Sequence, residues 1–417
     1  MSEYIVIYTA ILSRLAVLIL GVVSLHVHIP YLQSSTIAFD TSAHIDPCQN
    51  ITSYLDTPLE CAFKLMASAF YRWDALHFVN IARHGYGFEK SFAFFPALPM
   101  TLRLFGIDDE LTTIVTGLIV TNICFVLAAL SLYRLSLRVL KDPKIATISA
   151  LLFCIGPGGP FMSSIYTESP FAMLSFGGML AFSNQKPIVA SVLWGMAATF
   201  RSNGVLLSGF LLYGLLLDFR TRKLALTKVL TSLIGITIVV SSMAASQYCG
   251  YRAFCQDVDA DSLPPWCNNT LPMIYSFVQQ KYWDVGLFKY YKPSQIPNFI
   301  VAAPILAMTI HAAWIYASSN PDTFWSLGLV LSRTGYGFSS SPVLPYLYLW
   351  LAQALVCGLM LHVQIMGRFL SSMPALYWYV AHVFVNGQSK SQRIMVEYLL
   401  LYLVVGTLLF CNFLPPA

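Results

Sequence analysis

The sequence predicts an all-α polytopic membrane protein. Three observations carry that class. Of 417 residues, 57% are hydrophobic and only 10% charged, against about 25% charged in an average soluble domain. Apolar runs of roughly 20 residues recur along the chain, and each can cross a bilayer as a helix with its backbone groups satisfied internally. Aromatic residues make up 14%, enough for belts at both membrane–water boundaries. The net charge of +5 is small and no long basic run occurs, so no nucleic-acid partner is indicated. Roughly ten to twelve spanning helices are expected, in one integral-membrane domain over residues 1–417.

Residues 4–25 read as the first span. This run is too long for a signal peptide, and no convincing small-residue cleavage site follows. Arg14 inside it is expected to face protein or to snorkel. Residues 26–110 form a first luminal loop. Within it, 71–83 has helical spacing and reads as an amphipathic helix in the interface plane. Residues 97–105, bounded by Pro96, Pro99 and Gly106, read as a second interfacial or re-entrant piece. Residues 111–132 span. Arg134, Arg138, Lys141 and Lys144 follow, on the cytosolic side by the positive-inside rule. Arg220, Arg222, Lys223 and Lys228 form a second such cluster.

Between those clusters the chain is broken at Gly156-Pro157-Gly158-Gly159-Pro160, Asn184-Gln185-Lys186-Pro187 and Arg201-Ser202-Asn203-Gly204. Four helices satisfy the parity. They return the turns at Tyr166-Thr167-Glu168 and at Arg201 to the luminal face. Residues 226–248 then cross, 250–297 form a second luminal loop, and 299–317 cross back. Gly335, Gly337, Pro342 and Pro345 interrupt the run 324–361, where parity favours one crossing. His362 to Arg368 lie near the lumen, 369–385 form one span, and 395–413 form the last helix. No internal repeat supports an inverted-repeat transporter.

The nine cysteines include no CxxC pair. Cys48 and Cys61 lie in the first loop; Cys249, Cys255 and Cys267 lie in or beside the second. Disulfides there require an oxidising lumen. Sequons at Asn50 and Asn268 fall in the same two loops.

The densest polar chemistry lies between Arg72 and Pro99, where Arg72, Asp74, His77, Arg83, His84, Glu89 and Lys90 alternate with aromatic residues. Asp74 reads either as a general base or as an ion-pair partner of Arg72 or Arg83. Glu89 reads as a sugar-orienting acid or as a partner of Lys90 or Arg83. Glu168, the only acid between Asp142 and Asp218, reads as a site acid or a helix cap. Arg201 reads as a bidentate phosphate ligand or as a snorkelling side chain. His362, Gln364 and Arg368 gather at one helix end. Asp257, Asp259 and Asp261 carry a DxD spacing that also fits a solvated acidic patch, so a divalent metal is weakly supported, although Asp74, Glu89 and Glu168 are able to share one.

Several segments in order resemble the GPI mannosyltransferase 2 family. They are Arg72-Trp73-Asp74 with Gly85-Tyr86-Gly87-Phe88-Glu89 and Ala93-Phe94-Phe95-Pro96; Ser164-Ile165-Tyr166-Thr167-Glu168-Ser169; Arg201-Ser202-Asn203-Gly204; the stretch from Tyr275 to Gly286; Gln295-Ile296-Pro297-Asn298-Phe299; and His362 to Phe369. Pro170 and Gly367 depart from the expected Leu and Thr. The resemblance implies a GT-C glycosyltransferase fold of the endoplasmic-reticulum membrane with a luminal site. It implies inverting transfer of mannose from dolichyl-phosphate-mannose, in α-1,6 linkage, to a mono-mannosylated GPI glycolipid. Asp74 becomes the expected catalytic base, with Glu89 and Glu168 as supporting acids. Arg201, Arg72, His77 and Arg368 are expected at the donor phosphate. Gln280, Tyr282, Trp283, Asn298, His362 and Gln364 are expected at the acceptor. No tight metal site is expected, and a small accessory membrane subunit is implied. The alternatives are a non-catalytic subunit of a mannosyltransferase complex and a lipid transporter.

Overall fold

The computed structural model describes residues 2–25, 58–105, 109–222, 224–256, 263–330, 337–387 and 389–414. Among these, seven helices are long and apolar enough to cross a membrane. They are Ser2–Ser24, Glu110–Leu140, Ser202–Arg220, Leu226–Cys255, Pro293–Ser319, Ser341–Leu359 and Gln392–Cys411. Shorter helices at Pro143–Cys154, Glu168–Ser183, Pro187–Phe200 and Pro374–Asn386 pack among them. The described residues thus hold seven helices of spanning length, fewer than the roughly ten to twelve expected from the apolar runs.

The first helix shows how the sequence selects a packing face. Its buried residues are Val6, Ala10, Arg14, Val17, Gly21 and Ser24, a stripe with steps of three and four that follows the helical repeat. Gly21 lets Phe70 approach, since a Cβ there would stand 2.5 Å from the ring. Arg14 faces protein. Its guanidinium donates to the Cys154 carbonyl at 3.0 Å, the Gly159 carbonyl at 3.3 Å and the Ser163 hydroxyl at 3.2 Å, and lies 3.9 Å over the Phe125 ring. The carbonyls it takes are those freed by the Gly156–Pro160 break, which a helix end leaves unsatisfied.

Glu110–Leu140 runs past the expected end of its span. The Asp109 carboxylate caps its start by accepting from the Thr112 amide at 2.8 Å. Its charged far end stays helical, where Arg134 pairs with Glu3 at 2.9 Å, and it stops at Lys141 in a left-handed conformation, φ 55°. Four helices then join the two basic clusters, as parity requires. Pro143 and Pro187 each stand in a first turn, where a missing N–H costs nothing.

One expectation is corrected. Residues 369–385 are not a single span. The short helix Met366–Leu370 ends, and Pro374 opens the separate helix Pro374–Asn386, because proline cannot continue the hydrogen-bond ladder. The second loop holds a helix, Ile274–Trp283. A Cys255–Cys267 disulfide ties this loop to the end of Leu226–Cys255, and Cys61 is also disulfide-bonded. Cys249 is free and exposed. Asn50, Cys48 and the DxD run at 257–261 lie outside the described residues.

In the first loop, helices Pro58–Phe70, Asp74–His84 and Ala97–Leu104 and the 3₁₀ turn Glu89–Ala93 lie over the end of the bundle. Asp74–His84 buries Ala75, Phe78, Val79, Ile81 and Ala82. Of the residues whose spacing marks the helix, Ile81 is on the buried face, whereas His77 is half-buried and His84 exposed.

Candidate active site

The site starts from a strained turn. Trp73 has φ 53° and ψ −122°, a region that costs a non-glycine residue roughly 1–3 kcal/mol. The turn reverses the chain after Pro58–Phe70 and makes Asp74 the first residue of its helix. The Asp74 amide donates to the Tyr166 hydroxyl at 3.0 Å. Tyr166 is buried among Phe78, Phe161 and Phe410.

From Asp74 a line of alternating charges runs into the protein. Arg368 Nη2 donates to Asp74 Oδ2 at 3.1 Å, and its Nε donates to Glu168 Oε1 at 2.8 Å. Arg201 Nη1 reaches the same Glu168 oxygen at 2.7 Å. Two carboxylates and two guanidiniums balance. Side-chain exposure is 37% for Asp74, 18% for Arg368, 10% for Arg201 and 1% for Glu168, so Asp74 is the member presented to solvent.

The four residues come from distant segments, and local structure suits each. Glu168 opens the helix Glu168–Ser183, where the dipole favours an anion; Arg201 closes Pro187–Phe200, where it favours a cation. Gly204 permits the sharp reversal after Arg201, since a Cβ there would stand 2.6 Å from the Ala198 backbone. Arg368 lies 4.3 Å over Phe161 and 5.0 Å over Tyr166, and Arg201 lies 4.4 Å over Phe369. Aromatic faces thus cover the cations from the side the carboxylates leave open. Burial opposes the charge on Arg368, but Glu168 and Asp74 outweigh it and push its pKa up. Burial and the Asp74 carboxylate raise the Tyr166 phenol well above its ordinary value, so it stays protonated. Glu168 Oε2 is buried without a hydrogen-bond partner.

Two expected phosphate ligands have other partners. Arg72 donates through Nε to the Cys411 carbonyl at 3.1 Å and lies 4.3 Å over Phe413, because the Trp73 turn sends residues 72 and 74 to different partners. His77 stacks on Phe94 with ring centroids 4.4 Å apart. Burial, partly offset by Asp74, lowers its pKa below 6.5, so it is a neutral ring at pH 7 rather than a cation. The pairings of Asp74 with Arg72 or Arg83 are replaced by Arg368; Arg83 sits 3.8 Å from Glu110.

Glu89 belongs to a separate cluster. Its carboxylate accepts from Trp266 Nε1 at 2.8 Å, Lys281 Nζ at 3.1 Å and the Tyr282 hydroxyl at 3.0 Å, joining the first loop to the second. Gln280 is exposed on the same helix. Trp283 packs edge-on to Phe94 at 6.1 Å, and His362 Nε2 donates to its carbonyl at 2.8 Å. Asn298, His362 and Gln364 meet at Tyr290. Its hydroxyl accepts from Asn298 at 2.7 Å and donates to Gln364 at 2.9 Å, and its ring stacks on His362 at 4.6 Å. Tyr290, Lys281 and Tyr166 were not singled out in the sequence. Tyr166 stands two residues before Glu168, and Lys281 stands between the acceptor candidates Gln280 and Tyr282. Asn268 is exposed.

Among the described residues no three His, Cys, Asp or Glu side chains converge as a metal site. Asp74 and Glu168 are bridged by Arg368 and Glu89 has other partners, so the three acids do not share one ion position.

The family profile described as Mannosyltransferase (PIG-V) matches residues 2–417. The chain belongs to the PIG-V mannosyltransferase family. It is therefore a glycosyltransferase of a multi-pass membrane type. Among relatives, it is 32% identical to GPI alpha-1,6-mannosyltransferase 2 of Mus musculus over 427 residues, 82% of this chain and 87% of that one. It is 30% identical to GPI mannosyltransferase 2 of Schizosaccharomyces pombe over 409 residues, 94% of this chain and 82% of that one. Among solved structures, it is similar to the oligosaccharyltransferase of Archaeoglobus fulgidus, with a TM-score of 0.48 and 11% identity over 96% of this chain and 55% of that one. In this PIG-V chain the charged line and the Glu89 cluster both lie at the end of the bundle covered by the two loops.

Proposed function

We propose that this chain adds the second mannose of the GPI glycan, in α-1,6 linkage, with dolichyl-phosphate-mannose as donor and a mono-mannosylated GPI lipid as acceptor. The reaction inverts the sugar. The acceptor 6-oxygen attacks C1 of mannose, the bond from C1 to the phosphate oxygen breaks, and dolichyl phosphate leaves with the electron pair. Asp74 takes the hydroxyl proton. Arg368 orients Asp74 in the resting state and, with Arg201 behind it, stabilises charge on the departing phosphate, where fixed cations are most effective. Glu168 holds the two guanidiniums in position. The Glu89 and Tyr290 clusters, with Gln280, Tyr282, Trp283, Asn298, His362 and Gln364, contact the acceptor glycan.

The exposure gradient carries this reading. The one carboxylate of the line within reach of substrate is Asp74, and its buried neighbours are already neutralised. The site faces the endoplasmic-reticulum lumen, a placement supported by disulfides in both covering loops and by the exposed Asn268 sequon. A small accessory membrane subunit completes the assembly. The test is transfer in vitro from dolichyl-phosphate-mannose to a mono-mannosylated GPI lipid. Wild-type protein is expected to form the dimannosyl product and Asp74→Asn to fail while remaining folded; normal turnover by that variant would remove the base assignment.

A further inference from the structure

The turn that follows the second-loop helix Ile274–Trp283 is fastened to the end of a spanning helix, Leu344–Met360. The Gly286 amide donates to the Met360 carbonyl at 3.1 Å and the Phe288 amide to the Leu359 carbonyl at 2.8 Å. The Tyr291 hydroxyl donates to the Gly358 carbonyl at 2.9 Å. These carbonyls belong to the last turn of that helix, where they have no intrahelical partner. Two residues after Tyr291 the next span, Pro293–Ser319, begins. Residues 286–291 are thus fixed at the level of two span ends.

The side chains of this turn divide. Tyr290 points inward to Asn298 and Gln364, whereas Leu287, Phe288 and Tyr291 are exposed. Phe288 is the informative residue. Its φ is 57°, a left-handed conformation that glycine takes freely and a bulky side chain rarely adopts. Packing within the chain does little to offset this, since the side chain is 55% exposed and its ring meets Tyr291 edge-on with centroids 5.6 Å apart. Tyr291 in turn lies 5.1 Å from Phe299 of the following span, on which Ile296 and Ile300, one turn apart, are exposed. Met360, which accepts the Gly286 bond, is exposed at the end of the other span. The apolar patch therefore continues the outward faces of two spans, and those faces meet lipid. Lys289 and Lys292, held to Asp284 at 3.2 and 2.8 Å, accompany the aromatic rings. Aromatic rings with lysines at span ends suit the membrane–water boundary, where ring edges and ammonium groups reach water.

We infer that residues 287–291 dip into the headgroup layer of the bilayer, so that phospholipid is the partner of this patch and sets the height of Tyr290. The consequence for Tyr290 rests on the acceptor contacts proposed above; the immersion does not. Full-length protein in phosphatidylcholine nanodiscs tests it. Phe288→Trp adds indole emission to that of wild type. The added emission is quenched more strongly by lipid brominated near the headgroup end of its acyl chains than by lipid brominated near the methyl end or by aqueous iodide. Emission that responds only to iodide, or that no quencher reaches because a co-purified subunit covers it, overturns the inference. So does strongest quenching from the methyl end, which would place the residue inside a span. Phe288→Gly removes the ring and relieves the backbone, so its melting temperature in detergent matches or exceeds that of wild type. In nanodiscs it raises KM for a mono-mannosylated GPI lipid several-fold with kcat unchanged. In detergent, with no planar headgroup layer to set a height, its KM is that of wild type. An unchanged KM in nanodiscs, or the same rise in both settings, overturns the coupling to Tyr290. Wild-type protein that is quenched as expected but does not turn over this acceptor would overturn the acceptor reading and leave the immersion standing.

Discussion

Asp74 and Glu89 lie in the same short stretch of sequence, yet the structure treats them differently. Asp74 ends a line of charges that runs inward through Arg368 to Glu168 and Arg201, residues separated by long spans of chain. Glu89 joins one loop to another through Lys281, which is 49% exposed, and Tyr282, which is 44% exposed. The first arrangement is held by helix packing and has little water to screen it. The second is partly solvated, and an ion pair in that setting contributes little. Acids of one chemical type thus divide into a reaction-facing group and a loop fastener according to what packs behind them.

The largest effect that separates the two falls on turnover. Asp74→Asn keeps an oxygen for Arg368 but cannot take a proton, so transfer drops by about 10²–10⁴, the usual worth of a general base. Glu89→Gln lowers it no more than a few-fold. Parallel turnover assays of the two purified variants check this, and equal losses would erase the distinction.

Stability separates them next. Glu168→Gln leaves Arg201 and Arg368 buried without their shared carboxylate. Breaking a buried charge network in this way costs about 3–5 kcal/mol. Lys281→Ala, at the exposed cluster, costs under about 1 kcal/mol. Thermal unfolding in detergent reads both, and a Glu168→Gln protein that melts with wild type would mean that the line carries no stability. Lys281→Ala is further expected to raise KM for the acceptor a few-fold with kcat unchanged, because it loosens the loops rather than the reacting groups.

How much of this was legible in the sequence follows from the same division. The spans were readable because apolar length is a local property. Parity alone returned Glu168 and Arg201 to the face that carries Asp74. The pairings were not readable. Arg72 and Arg83 are near Asp74 in sequence, and nothing local reveals that Trp73 adopts a positive φ and turns Arg72 toward Cys411. The division of residues 369–385 has a local signal in Ser371, Ser372 and Pro374, which counting spans by overall apolar length passes over. Tyr290 gave no signal, because its role exists only once Asn298, Gln364 and His362 have converged on it.

The smallest expected effect concerns His77, which lies between the two groups with Asp74 and Lys90 both acting on its charge. Its folded pKa is below that of the unfolded chain, near 6.5. As pH falls through this region the unfolded state therefore binds the proton first. The stabilisation from the neutral ring stacked on Phe94 is complete above about 6.5 and declines as pH drops toward the folded pKa. His77→Phe keeps the stack and removes the titration. It is expected to retain transfer, since a neutral ring supplies no charge to the phosphate, and to flatten the acid side of the stability profile. Melting curves between about pH 7.5 and 5.5 test the second part. Identical acid slopes in variant and wild type would show that His77 is not the titrating contact, and loss of transfer at neutral pH would return it to the phosphate site.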